Sequence, residues 1–151
     1  MIYGHDRLAD GARTAVFNYL SARGVKVILM ESKYSKNGIM PDLLREMRGA
    51  AAFIAICTPD DHVTEGLHPE KSWWQPRQNV LFEMGIVYGL SRGAERLTVL
   101  QKWVDGKSDM SAKLPSDWEG YISLQFSDKI DHRFDDLVSR LTNIGVILDT
   151  I

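Results

Sequence analysis

Apolar residues recur at intervals of three and four between positions 7 and 22, where Leu8, Ala12, Ala15, Val16, Tyr19 and Leu20 fall on one face. That spacing predicts an amphipathic helix closed by Gly24. Residues 25–30 then read as a buried strand, and Pro41 opens a short helix that runs through Met47 and stops at Gly49. Residues 50–57 are apolar without alternation, the mark of a central parallel strand covered on both faces. Further strands are expected at residues 1–3, 96–101 and 120–126. A closing helix is expected over 131–143, with Phe134, Leu137, Val138 and Leu141 turned inward. Residues 32–38 read as a polar loop. Residues 58–76 read as an unusually long one, and loops of that length are commonly functional.

Strands alternating with helices, with no internal repeat, imply the α/β class: a parallel sheet of flavodoxin-like outline with right-handed crossovers. Ligands of such sheets bind beyond the carboxyl ends of the strands. The loops after the first three strands open there, as does the start of the helix over residues 77–90. That helix is apolar on nearly every side, and Glu83 lies inside it with Asn79, Val80, Ile86 and Val87 one turn away. An acid so placed is destabilising unless something pairs with it. Either it reaches a nearby arginine or backbone amide as a local tether, or the site uses it.

Composition narrows the partners. In 151 residues with 44% hydrophobic and 25% charged side chains, the net charge of -2 gives no electrostatic reason to bind nucleic acid or anionic lipid. The single cysteine, Cys57, cannot form an internal disulfide and falls in an apolar run. No stretch has the length of a membrane span and the start lacks a signal-peptide pattern, so the expected location is the cytoplasm, with no membrane partner. His5, His62, His68 and His132 are scattered without ligand spacing, so no metal is expected. Glycine fingerprints for dinucleotides and Walker loops are absent as well.

The stretch Arg77-Gln78-Asn79-Val80-Leu81-Phe82-Glu83-Met84-Gly85 is a specific signal. With Thr58-Pro59-Asp60-Asp61 upstream and Leu114-Pro115-Ser116-Asp117 downstream, it resembles the bacterial TIR-like domains of anti-phage effectors, those fused to STING or to cyclic-nucleotide-binding modules in the CBASS and Pycsar systems. The likeness runs over residues 3–149. It implies a TIR-type three-layer sandwich with a five-stranded parallel sheet, forming a single domain over residues 1–151. Members carry more strand before the glycine corresponding to Gly4, so the chain reads as cut from a longer effector or as starting late.

The resemblance further implies NAD+ glycohydrolase activity with NAD+ as consumed substrate and no cofactor. It also implies self-association through TIR–TIR contacts and a sensor domain for a cyclic nucleotide in the same or a partner chain. Nicotinamide leaves as a neutral molecule and needs no acid to protonate it, so one carboxylate can suffice, and Glu83 stands at the position to supply it. Asp60 and Asp61 would hold ribose hydroxyls or fix the long loop. Arg77 and Asn79, with Gln78, would line the phosphate or ribose side or lock helix to loop. Trp74, with Trp73, would stack on a ring or anchor the loop. His5 and Asp6, with Arg7, would flank the adenosine half or cap the first helix. In the loop over residues 32–38, Lys33, Tyr34 and Lys36 would close over the site or lie solvated. The chain departs from the family after Asp61, where a glycine is usual and the connection to Arg77 is shorter.

Two other readings carry different chemistry: a TIR-type adaptor that oligomerises without catalysis, and a nucleoside deoxyribosyltransferase-like enzyme that also places a glutamate in a strand-end pocket. Nicotinamide release without base exchange separates them.

Overall fold

The computed structural model describes residues 1–4, 7–30, 39–90, 92–118 and 123–149. His5, Asp6, the loop over 32–38 and the first residues of the strand expected at 120–126 lie outside them. A parallel sheet of four strands forms the centre, in the order β1 (Ile2–Tyr3), β2 (Phe53–Cys57), β5 (Leu97–Lys102) and β6 (Leu124–Phe126). β2 and β5 pair along five residues, from Phe53 opposite Leu97 to Cys57 opposite Gln101.

The sheet is covered on both faces, as the unalternating apolar run at β2 requires. Ile54 and Ile56 join Val16 and Leu20 of α1 (Arg7–Ser21) and Leu137 and Leu141 of α5 (Phe134–Ile144) in one core. Phe53, Ala55 and Cys57 join Met47 of α2 (Ile39–Gly49) and Val80, Met84 and Val87 of α3 (Gln78–Gly89) in the other. Successive side chains of one strand therefore fill two cores, giving three layers. Among the described residues, no helix is long and apolar enough to cross a membrane.

Three expectations are corrected. Among the described residues the sheet has four assigned strands where five were expected, because residues 25–30 are extended but carry no assigned ladder there. Val25, Val27 and Leu29 pack against the core of α1 and α5 in the alternation a strand would show. Among the described residues the segment is tied to the sheet through Met1, whose amine donates to the Ile28 carbonyl at 2.5 Å and whose carbonyl accepts from the Met30 amide at 3.0 Å, while the Val25 amide donates back to the Leu20 carbonyl of α1 at 3.1 Å. The Met1 bonds are those of a parallel pair one residue long.

The second correction concerns residues 58–76, which are not a loop. They hold an antiparallel hairpin of β3 (Asp61–Glu65) and β4 (His68–Gln75), joined at Gly66 and Leu67. Val63, Thr64, Trp73 and Trp74 are the strand-forming residues of this pair, but Pro69 and a register shift between Thr64 and Glu65 break its alternation. Third, the last helix starts later than expected, with a 3-10 turn over Asp131–Arg133 leading into α5.

The passage from α3 to β5 is tight. The Leu90 amide closes α3 on the carbonyls of Ile86 and Val87, Arg92 takes a left-handed φ of 58°, and α4 (Gly93–Arg96) follows at once. Gly93 lies so close that a Cβ there would sit 1.4 Å from the Val87 carbonyl oxygen.

Candidate functional site

At the carboxyl ends of β1 and β2 the chain brings together Gly4, Thr58, Asp60, Asp61 and the start of α3. A helix start leaves backbone N–H groups without partners, and the N-cap residue Arg77 supplies no side-chain acceptor for them. Two carboxylates from the base of the hairpin do so instead. The Arg77 amide donates to Asp60 Oδ2 at 3.4 Å and the Gln78 amide to Asp61 Oδ2 at 3.3 Å. Their negative charge also complements the positive end of the helix dipole.

Asp60 is held firmly in this role. Thr58 Oγ1 donates to its Oδ1 at 2.7 Å, and its own amide donates to the carbonyls of Thr58 and Gln75, the latter closing the base of the hairpin. Its carboxylate lies where a side chain on residue 4 would begin, since a Cβ on Gly4 would come 2.1 Å from Oδ2. Asp60 thus ties the ends of two strands to the start of α3. Asp60→Ala is expected to lower stability by about 1–2 kcal/mol, as loss of a helix cap does. Asp61→Ala should lower it less, because its bond is solvent-exposed. Thermal denaturation of both variants checks the order.

Glu83 is five residues further along α3 and half-buried. Val80 and Val87 beside it are buried, Ile86 is half-buried and Asn79, one turn earlier, is exposed. Burial pushes its carboxyl pKa up to about 7, against a smaller downward pull from the Met1 ammonium. The amine answers in kind: burial lowers it to about 6, and Glu83 opposes that fall. Desolvation outweighs mutual attraction in both groups. Among the described residues the carboxylate has no hydrogen bond or ion pair, so the arginine or amide tether is not found there.

The expected residues therefore fall into three places. Asp60, Asp61 and Arg77 meet at the start of α3, whereas Asn79 and Glu83 share a stripe along it. Trp74 stands apart, on the hairpin, where its ring lies 5.0 Å from that of His62 on the paired strand. His5 and Asp6 lie outside the described residues.

Trp74 belongs to a grouping that reading the chain in order did not reveal. Trp73, Trp74, Trp103 and Trp118 are all the tryptophans in the protein, and they line one open cleft of about 410 Å³ beyond β5 and β6. Gln101, the penultimate residue of β5, forms part of its wall, its amide donating to the Ala112 carbonyl at 2.7 Å and accepting from Ser123 Oγ at 2.6 Å. The Lys113 amide donates to the Trp74 carbonyl at 2.8 Å, fastening the hairpin to this wall. Trp118 meets Tyr88 edge-on at 5.5 Å. Tyr88 follows Glu83 by five residues, which is about 140° round the helix, so the cleft and Glu83 lie on different sides of α3. The signal in the sequence was the placement of Trp103 directly after β5 and of Trp73 and Trp74 shortly before α3.

Residues 1–128 match the family model described as CAP12/Pycsar effector protein, TIR domain. No curated protein and no solved structure gave a match.

Proposed function

The chain belongs to the CAP12/Pycsar effector TIR-domain family, modules of bacterial anti-phage defence, and on that premise we propose that it cleaves the nicotinamide–ribose bond of NAD+, with Glu83 as the catalytic carboxylate. The observation that carries this reading is the state of Glu83. It is a half-buried acid on an apolar helix, raised to about 7 by burial, with no hydrogen-bonded partner among the described residues. Structural carboxylates find partners, as Asp60 and Asp61 do here, while a carboxylate kept partly desolvated and unpaired is characteristic of a reacting site.

The chemistry asks little else. The C–N bond breaks with its electron pair passing to the pyridinium nitrogen, and nicotinamide departs neutral. Positive charge spreads over the ribose ring, where an adjacent carboxylate stabilises it. Water then adds to the ribose carbon and releases a proton, giving ADP-ribose. Asn79, one turn before Glu83 on the same stripe of α3, would meet a ribose hydroxyl. Asp60 and Asp61 act by holding α3 in place, and self-association orders the site, with a cyclic-nucleotide sensor as the trigger.

The test is product analysis after incubation with NAD+ at several protein concentrations and in a tethered form. Nicotinamide release that rises per molecule with clustering is the expected result. Base exchange on deoxynucleosides favours the transferase chemistry, and no turnover in any assembly state favours an adaptor. Because the reacting form is the carboxylate, kcat/KM is expected to rise with pH through about 7 and level off above it. One unit below that midpoint about a tenth of the groups are ionised, so activity should be about tenfold below its plateau. A flat profile from acid to neutral pH contradicts Glu83 as the group that must ionise.

A further inference from the structure

We propose that the cleft walled by the four tryptophans is a second ligand site, and that it holds a purine nucleotide with its base against the indole faces and its phosphate at Lys113. The proposal is independent of the hydrolysis assigned to Glu83, since the cleft lies on another side of α3.

Its volume of about 410 Å³ falls in the range of small-molecule sites, which are concave, mostly aromatic and carry few polar groups. Gathering every tryptophan of a chain at one solvent-open place is not needed for packing. Among the described residues Trp118 is partly buried against one core cluster, while neither cluster counts a tryptophan among its buried residues. Flat indole walls accept flat rings by stacking, and base stacking on aromatic side chains is among the stronger sequence-tolerant contacts proteins make.

Charge selects among the flat ligands. Among the described residues no carboxylate lines the cleft, and Lys113 is the single charged residue of its described wall. The Lys113 ammonium lies 5.0 Å from the centroid of the Trp73 ring, so cation and stacking face adjoin. A ligand that uses both has an aromatic ring and a negative group a short distance from it. A sugar is less well matched, because the Gln101 amide and the Ser111 hydroxyl are already engaged with the protein, leaving few acceptors for a set of hydroxyls.

The four indoles make the test direct, since all tryptophan emission reports on this cleft. The protein is titrated with AMP, with adenosine and with maltose, exciting at the red edge of the indole band where adenine does not absorb. Saturable quenching by AMP, weaker with adenosine and absent with maltose, is expected. Trp73→Ala should weaken AMP binding about tenfold or more. Lys113→Gln, at an exposed position that leaves the fold intact, should remove the preference for AMP over adenosine. Glu83→Gln should leave the titration unchanged, so its outcome is separate from that of the hydrolysis. The proposal is overturned by the absence of a saturable response to AMP. A response undiminished in Lys113→Gln, or maltose acting as well as AMP, overturns it equally.

Discussion

Glu83→Gln is expected to reduce nicotinamide release by about a thousandfold while the protein still folds. Two opposite charges about 4 Å apart at an effective dielectric near 20 attract by roughly 4 kcal/mol. If that attraction arises only as charge develops on the ribose, it corresponds to about three powers of ten in rate. Glutamine keeps the shape and removes the charge, and among the described residues no ion pair is broken by the exchange.

The same variant carries a stability signature of opposite sign. The folded-state pKa of Glu83 is raised from 4.5 to about 7, so its favourable contribution is fully present below pH 4.5 and lost as pH rises through about 7. Above that pH the wild type carries a desolvated charge that the glutamine variant lacks. Glu83→Gln should therefore be more stable than wild type at pH 8 by about 1 kcal/mol after allowance for solvent screening, which thermal denaturation checks. The gap should narrow toward pH 5. The lowered Met1 amine disfavours folding on the acid side, and removing Glu83 lowers that amine further, which also narrows the gap. Lost activity with gained stability is what a functional acid predicts. Retained turnover in a clustered, folded Glu83→Gln protein would sink the catalytic assignment.

Gly93→Ala is expected to be the most damaging single-methyl change in the described fold, lowering stability by about 3 kcal/mol or more. The added carbon would fall 1.4 Å from the Val87 carbonyl oxygen and 2.5 Å from its carbon, both backbone atoms that no rotamer change can move aside. That carbonyl already accepts the Leu90 amide at 3.2 Å to end α3. Relief therefore needs either the last turn of α3 to unwind or the left-handed turn at Arg92 to reopen. Both disturb β5, which carries the full ladder to β2. Denaturant unfolding of the variant is the check. A midpoint close to that of wild type would mean that α3 leaves more room at its end than the described packing allows.

What could be read in advance follows from the range of each interaction. β2 was legible because burial on both faces leaves an unalternating apolar run, and α3 because an acid among apolar neighbours is conspicuous at helical spacing. The hairpin was not, since a proline and a register shift blur its alternation and its purpose, capping α3 with Asp60 and Asp61, joins residues 17 positions apart. The tryptophan cleft is more distant still: its walls come from the hairpin, the segment after β5 and the turn at Trp118, and only the topology makes them neighbours. Residues 25–30 looked like a strand because their side chains alternate as one.

The hairpin is clamped at one end and open at the other. Its base is closed by the bond from the Asp60 amide to the Gln75 carbonyl, whereas Leu67 at the turn is 95% exposed. Extra chain spliced between Gly66 and Leu67 would thus burden the molecule with little beyond loop-closure entropy, which grows only slowly with length. The turn is a natural handle for a fluorophore or an affinity tag, one that lets copies be crowded on a bead without touching the register on which α3 depends.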